Sequence, residues 1–162
     1  MPELRFEPDV NGAEMRIGLV VSRFNTEVTE RLERACLDAL EESGVFSEDV
    51  VVVTVPGALE IPLALSQLAQ TGQFDALVAL GAVIRGETYH FELVCQESAA
   101  GVSRISQEFH VPVANAILTT ETEEQAHERA PVKGREAALV AIEMANLLLA
   151  IDEHLGEDSA TD

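Results

Sequence analysis

The chain has no tryptophan, one tyrosine and a single lysine, Lys133, among its 162 residues. With aromatics at 4%, its interior has to be built from Val, Leu, Ile and Ala. Two cysteines, Cys36 and Cys95, are too few for a disulfide framework. Both fall at apolar positions of predicted helices and read as buried, reduced thiols. Apolar runs of roughly 18 residues or more, the length that crosses a bilayer, are also missing. The nearest, Ala137 to Ile151, is interrupted by Glu143 and Asn146. Met1 to Asp9 is polar and acidic with no apolar h-region, so no secretory signal is expected and the protein reads as cytoplasmic. Basic charge is scarce as well: 10 Lys and Arg face 29 Asp and Glu, a formal net charge of −19, with a pI near 4.4. Such a surface repels phosphate backbones and anionic lipid, which argues against nucleic acid and membranes as partners. A merely acidic protein would look like this. The reading favoured here is adaptation to a salty cytoplasm, where screening relieves self-repulsion.

What remains is a globular composition, 47% apolar with a mean hydropathy of +0.12, of a length that suits one domain over 1–162. Residues 1–15 read as an N-terminal arm and 155–162 as an acidic tail expected to be disordered. Arg16 to Ser22 is a continuous apolar run, the pattern of a strand buried on both faces. Asn25 then offers an N-cap to a helix with Val28, Leu32, Cys36, Ala39 and Leu40 on one stripe, ended by Gly44. Val50 to Val55 is a second strand, closed by Pro56 and Gly57, and Ile61 to Ala69 a second helix with Pro62 in its first turn. Ala76 to Ile84 is a third strand, followed by a helix from about Thr88 to Phe109 and a strand from Val113 to Leu118. Thr122 and Gln125 form a capping box for a short helix containing Arg129, and Gly134 precedes a last long helix reaching about Glu153. That last helix is apolar almost all round, which argues for a subunit interface.

Alternating strands and helices predict an α/β fold: a three-layer αβα arrangement around a mostly parallel, flavodoxin-like sheet of about four strands. Ligands in such folds bind beyond the carboxyl ends of the strands, where strand order reverses. The segments of unusual composition fall there: Ser22-Arg23-Phe24-Asn25, Pro56-Gly57-Ala58-Leu59-Glu60, Arg85-Gly86-Glu87-Thr88 and Thr119-Thr120.

Gly81 to His90, GAVIRGETYH, nearly has the outline of a nucleotide-binding P-loop, but Glu87 stands where that loop requires lysine. A carboxylate cannot neutralise β- and γ-phosphates, so nucleoside triphosphate hydrolysis is not expected. A glycine turn opening a helix still offers free N–H groups and a helix dipole to a single phosphate. His90, in the first turn, stands where proton transfer near neutral pH is available. Alone, the segment could equally be a turn with a surface histidine.

It does not stand alone. SRFN at 22–25, PGALEIP at 56–62, GAVIRGETYHFELV at 81–94, LTTETEEQAHERA at 118–130 and KGREAALVAIEMANLL at 133–148 resemble the signature segments of lumazine synthases, in the family's order. The resemblance implies condensation of 5-amino-6-(D-ribitylamino)uracil with 3,4-dihydroxy-2-butanone 4-phosphate, without a cofactor. It implies a stacking role on the pyrimidine for Phe24, which taken alone would read as a core cap. Ala58, Leu59 and Glu60 match the segment that holds the ribityl chain, and Ala82, Val83 and Ile84 the one lying along the pyrimidine. Glu87 and Thr88 match the phosphate turn, Arg129 the phosphate's guanidinium partner and His90 the proton shuttle. Lys133 and Glu136 match positions close to the site. The resemblance also implies a homopentamer with sites between subunits, Arg129 and Lys133 coming from the neighbour, and leaves open whether pentamers assemble further into an icosahedral shell.

Two departures stand out. Asn115 occupies a position where most members have an aromatic, and only Ala-Pro-Val separates Arg129 from Lys133 where a longer glycine-rich loop is usual. A related riboflavin synthase of archaeal type and a non-enzymatic binding or shell protein stay as alternatives. The other histidines, His110, His127 and His154, show no ligand spacing with each other or with cysteine, so they read as surface residues and no metal is expected.

Overall fold

A computed structural model describes residues 3–156. Four strands, β1 (Ile17–Ser22), β2 (Val50–Val55), β3 (Ala76–Ile84) and β4 (Val113–Thr120), form one sheet in the order β2-β1-β3-β4. Every pairing is parallel. The helices are α1 (Thr26–Glu42), α2 (Ile61–Gln70), α3 (His90–Phe109) and α4 (Glu123–Leu155), with short 3-10 turns at Ser47–Asp49 and Ala58–Glu60. The expected three-layer α/β architecture is the observed one. Residues 157–162 of the acidic tail lie outside the described residues, and Leu155 is the last residue of α4.

Side chains alternate across the sheet. Ile17, Leu19 and Val21 of β1 face α1 and α4, where they meet Leu32, Cys36, Leu40 and Ile142. Val20, Leu77 and Ala79 face α2 and α3, packing with Ile61, Leu65, Val94 and Val102. The central strands β1 and β3 are buried on both faces, as continuous apolar runs require, while the edge strand β2 leaves Val52 exposed.

The largest difference from the sequence reading is α4. Instead of a short helix, a break and a second helix, one helix runs through Pro131 and Gly134. Proline in a helix interior removes a hydrogen bond and costs about 3 kcal/mol. Packing overrides it: Ala126, Ala130, Gly134, Ala137, Ala138, Ala141 and Ala145 form one buried stripe that stays in phase on both sides of Pro131. Gly134 is a close-approach residue, since a Cβ there would lie 2.4 Å from the Leu32 carbonyl oxygen and 3.0 Å from the Ala35 Cβ. Nor is α4 apolar all round: this stripe faces the core, and Val132, Val140, Met144 and Leu149 remain exposed among charges.

Candidate active site

From β1 the chain moves outward to β2 on one side, then to β3 and β4 on the other. The switch point therefore lies between β1 and β3, and three of the four singled-out segments surround it. The Arg23 N–H donates to the Val55 carbonyl (2.8 Å) and the Phe24 N–H to that of Pro56 (3.0 Å), which ties the β1 loop to the end of β2. Asn25 sits at the N-cap position of α1 but does not cap with its side chain. Its backbone is left-handed (φ 61°, ψ 48°), which turns the amide away from the helix. Nδ2 instead donates to the Ala82 carbonyl at 2.9 Å, joining the β1 loop to β3. Between these ties the Phe24 ring is held 71% exposed, an apolar face open to a flat ligand.

After β2, the 3-10 turn buries Ala58 and leaves Leu59 and Glu60 exposed. The Glu60 carboxylate folds back over Gly57, where an added Cβ would stand 3.2 Å from Oε1. At the end of β3, Ala82 and Val83 are buried and Ile84 half-buried. The turn that follows is exposed at Arg85, Gly86, Glu87, Thr88 and Tyr89. Helix α3 begins at His90, slightly later than expected. Thr88 stays outside it and takes the His90 N–H on its hydroxyl at 3.4 Å, the competition for backbone donors that keeps threonine near helix starts. His90 is the exposed first residue of the helix, beside the open turn.

Three predicted binding residues, and Glu136 with them, are not brought to this cluster within one chain. Arg129 and Lys133 lie exposed on α4, on the opposite face of the sheet from α3. Arg129 donates to the Gln125 carbonyl of its own helix (3.2 Å), and Lys133 pairs with Glu136 at 3.4 Å. Asn115 is exposed in β4, in register with Ala79 and so well short of the carboxyl edge. Its Oδ1 accepts from the Ile117 N–H at 2.8 Å.

The structure also shows a group to which sequence reading assigned no role. Arg85 bonds the carboxylates of Glu121 and Glu92, and its guanidinium lies 4.4 Å from the centre of the Phe91 ring. Its backbone N–H donates to the Thr120 carbonyl at 2.9 Å. Ile84 pairs with Thr120 across β3 and β4, so the next residues, Arg85 and Glu121, fall side by side. No sequence spacing announces that register. The bonds it donates to Glu121 and then Glu92 hold the guanidinium firmly protonated, and Arg85 holds the Glu92 carboxyl below its ordinary range.

Cys36 is buried as expected, and burial pushes its thiol up to about 12. Cys95 is only half-buried, close to the Arg85 group, and burial raises its thiol too, with Glu92 adding to the shift. His110 and His154 are exposed and His127 half-buried. The fold brings His127 together with Glu27 and Glu123, with ligand atoms within 4.8 Å of one another, the one such group among the described residues. The Arg31 guanidinium lies 3.1 Å from Nδ1 of His127, a resident positive charge that opposes a cation there. Among the described residues no helix is long and apolar enough to cross a membrane.

Residues 14–149 match the family model of 6,7-dimethyl-8-ribityllumazine synthase. The chain is 61% identical over 154 residues to the 6,7-dimethyl-8-ribityllumazine synthase of Burkholderia multivorans, covering 95% of this chain and 89% of that protein. It is 60% identical to the enzyme of the same name from Burkholderia vietnamiensis, covering 95% and 90%. The chain belongs to the 6,7-dimethyl-8-ribityllumazine synthase family. The span matched to the lumazine synthase model holds every site residue singled out above, from Phe24 to Glu136.

Proposed function

We propose that this chain is a lumazine synthase enzyme, a transferase condensing 5-amino-6-(D-ribitylamino)uracil with 3,4-dihydroxy-2-butanone 4-phosphate to 6,7-dimethyl-8-ribityllumazine, the penultimate step of riboflavin biosynthesis. The observation that carries this reading is the match across 14–149 with Phe24, Glu60 and the Gly86–His90 turn gathered at one sheet edge. Phe24 stacks on the pyrimidine, with Ala82, Val83 and Ile84 along its edge, while Ala58, Leu59 and Glu60 hold the ribityl chain. The turn at Glu87 and Thr88 receives the phosphate through backbone N–H groups, and Arg129 pairs with it. His90 moves protons during imine formation and phosphate loss. These steps are polar with no net redox change, so the reaction calls for no cofactor.

In this reading the protein is a cytoplasmic homo-oligomer, a pentamer with sites between subunits. The position of Arg129, Lys133 and Asn115 away from His90 within one chain supports this, because a neighbour can bring them. So do the exposed Val132, Val140, Met144 and Leu149 on α4. The acidic surface fits work at high salt. Incubating the purified protein with both substrates and following lumazine absorbance tests the reaction, with light scattering for the assembly. No lumazine would reject the proposal, and conversion of added lumazine to riboflavin would favour the archaeal-type synthase.

A further inference from the structure

The roles proposed above leave Arg85 without one, although it immediately precedes the phosphate turn. Glu87 lies in that turn, and Glu92 and Glu121 are held beside it by the Arg85 guanidinium. A phosphate dianion approaching the turn thus meets a rim rich in carboxylates, while the helix N-terminus offers only about half a positive charge. Arg85 is suited to offset this. Its fork spans two carboxylates from different elements, and Phe91 supports the guanidinium plane from one side.

We infer that Arg85 is a positioning and charge-compensating residue: it offsets one of the two negative charges of Glu92 and Glu121 and ties the 85–90 turn to the end of β4, so that the phosphate of the substrate can enter. The inference rests on the assignment of the phosphate to this turn. An exposed ion pair adds little to folding stability, so the effect belongs in phosphate binding and not in the melting temperature. Arg85 touches no reacting atom, and its influence passes through Glu92, Glu121 and the turn.

The test uses the full chain in its native assembly, with each substrate varied in turn and inorganic phosphate as a calorimetric probe. Arg85→Ala should raise KM for the butanone phosphate about five- to tenfold, the order of one uncompensated charge near contact in water. Phosphate affinity should weaken in parallel, while KM for the pyrimidine stays within about twofold. Arg85→Lys, which keeps the charge, should recover most of the loss. So should adding Glu92→Gln and Glu121→Gln to Arg85→Ala, and so should molar salt, where the screening length falls to about 3 Å. A purely structural role predicts neither rescue by removing the carboxylates nor rescue by salt. An unchanged phosphate KM in Arg85→Ala, or no recovery in the triple variant, overturns the inference. If the unmodified protein neither binds phosphate nor makes lumazine, the reading beneath it fails instead.

Discussion

The two faces of the sheet are built to different standards. On the α1/α4 face alanines interleave with large aliphatics such as Ile17, Leu19, Leu32, Leu40, Leu80 and Ile142, all of them buried. The α2/α3 face is looser at its edge: Phe91, Cys95, Val113 and Ile117 are only partly covered, and the loops running into α2 and α3 expose Leu59, Glu60 and residues 85–90. Charge divides the same way. Helix α1 carries Glu27, Glu30, Glu33, Asp38, Glu41 and Glu42, and α4 is acid-rich from Glu123 to Glu153, whereas α2 has no acidic residue. One face thus supplies stability and takes most of the negative charge. The other keeps its carboxyl edge open, and the acids gathered there, Glu92 and Glu121 beside Glu87, share the Arg85 guanidinium, so an anionic substrate depends on that local compensation.

The strongest test of that division is His90→Ala. On the α2/α3 face, where the proposed function puts the chemistry, it should lower turnover by roughly 10²–10⁴-fold, the usual worth of positioned acid–base catalysis, and leave the affinity for the ribityl pyrimidine nearly intact. Near-normal turnover would take His90 out of the mechanism, and lost affinity with normal turnover would make it a binding residue.

Arg129 is where the comparison could break, because it sits on the stability-bearing side yet is assigned to phosphate. Arg129→Ala should weaken the butanone phosphate by about 2–5 kcal/mol, the cost of truncating one partner of a desolvated charged pair, and spare the pyrimidine. An unchanged Michaelis constant for the phosphate substrate would return Arg129 to the solvated face of α4.

Gly134→Ala probes the close contact of α1 with α4. The new methyl would meet the Leu32 carbonyl oxygen at 2.4 Å, and overpacking of this kind costs about 1–3 kcal/mol. The loss should outweigh the ~1 kcal/mol that alanine gains in helix propensity, lowering the melting temperature by several degrees. A melting temperature that holds or rises would show that the two helices can separate at little cost.

The mildest effect is that of salt. With −19 per chain and acids crowded on α1 and α4, thermal stability and oligomer size should rise from dilute buffer to molar salt. Replacing the outward acids of α1 with glutamine should flatten that dependence, and matching changes at Glu97 and Glu108 of α3 should alter it less. A melting temperature that is flat or falling across the range would reject adaptation to high salt.

Much of the architecture was legible in the sequence because local periodicity and burial agree. The unbroken apolar runs of β1 and β3 could only be central strands, and the stripe from Val28 to Leu40 could only be one helix face. That SRFN, PGALEIP and GAVIRGETYH share one edge was legible too, because the loops after parallel strands all lie at the same end of the sheet. Three things were decided by tertiary contact. Pro131 and Gly134 look like a break in any local reading, but the small-residue stripe on either side packs in phase on α1, and that packing outweighs the lost hydrogen bond. Asn25 looks like a cap, yet a left-handed backbone sends its amide across to β3. Arg85 and Glu121 are 36 residues apart and meet only because β3 and β4 pair in one particular register. Propensity and spacing act over a turn or two of chain, whereas strand register and helix–helix approach are set by the core as a whole.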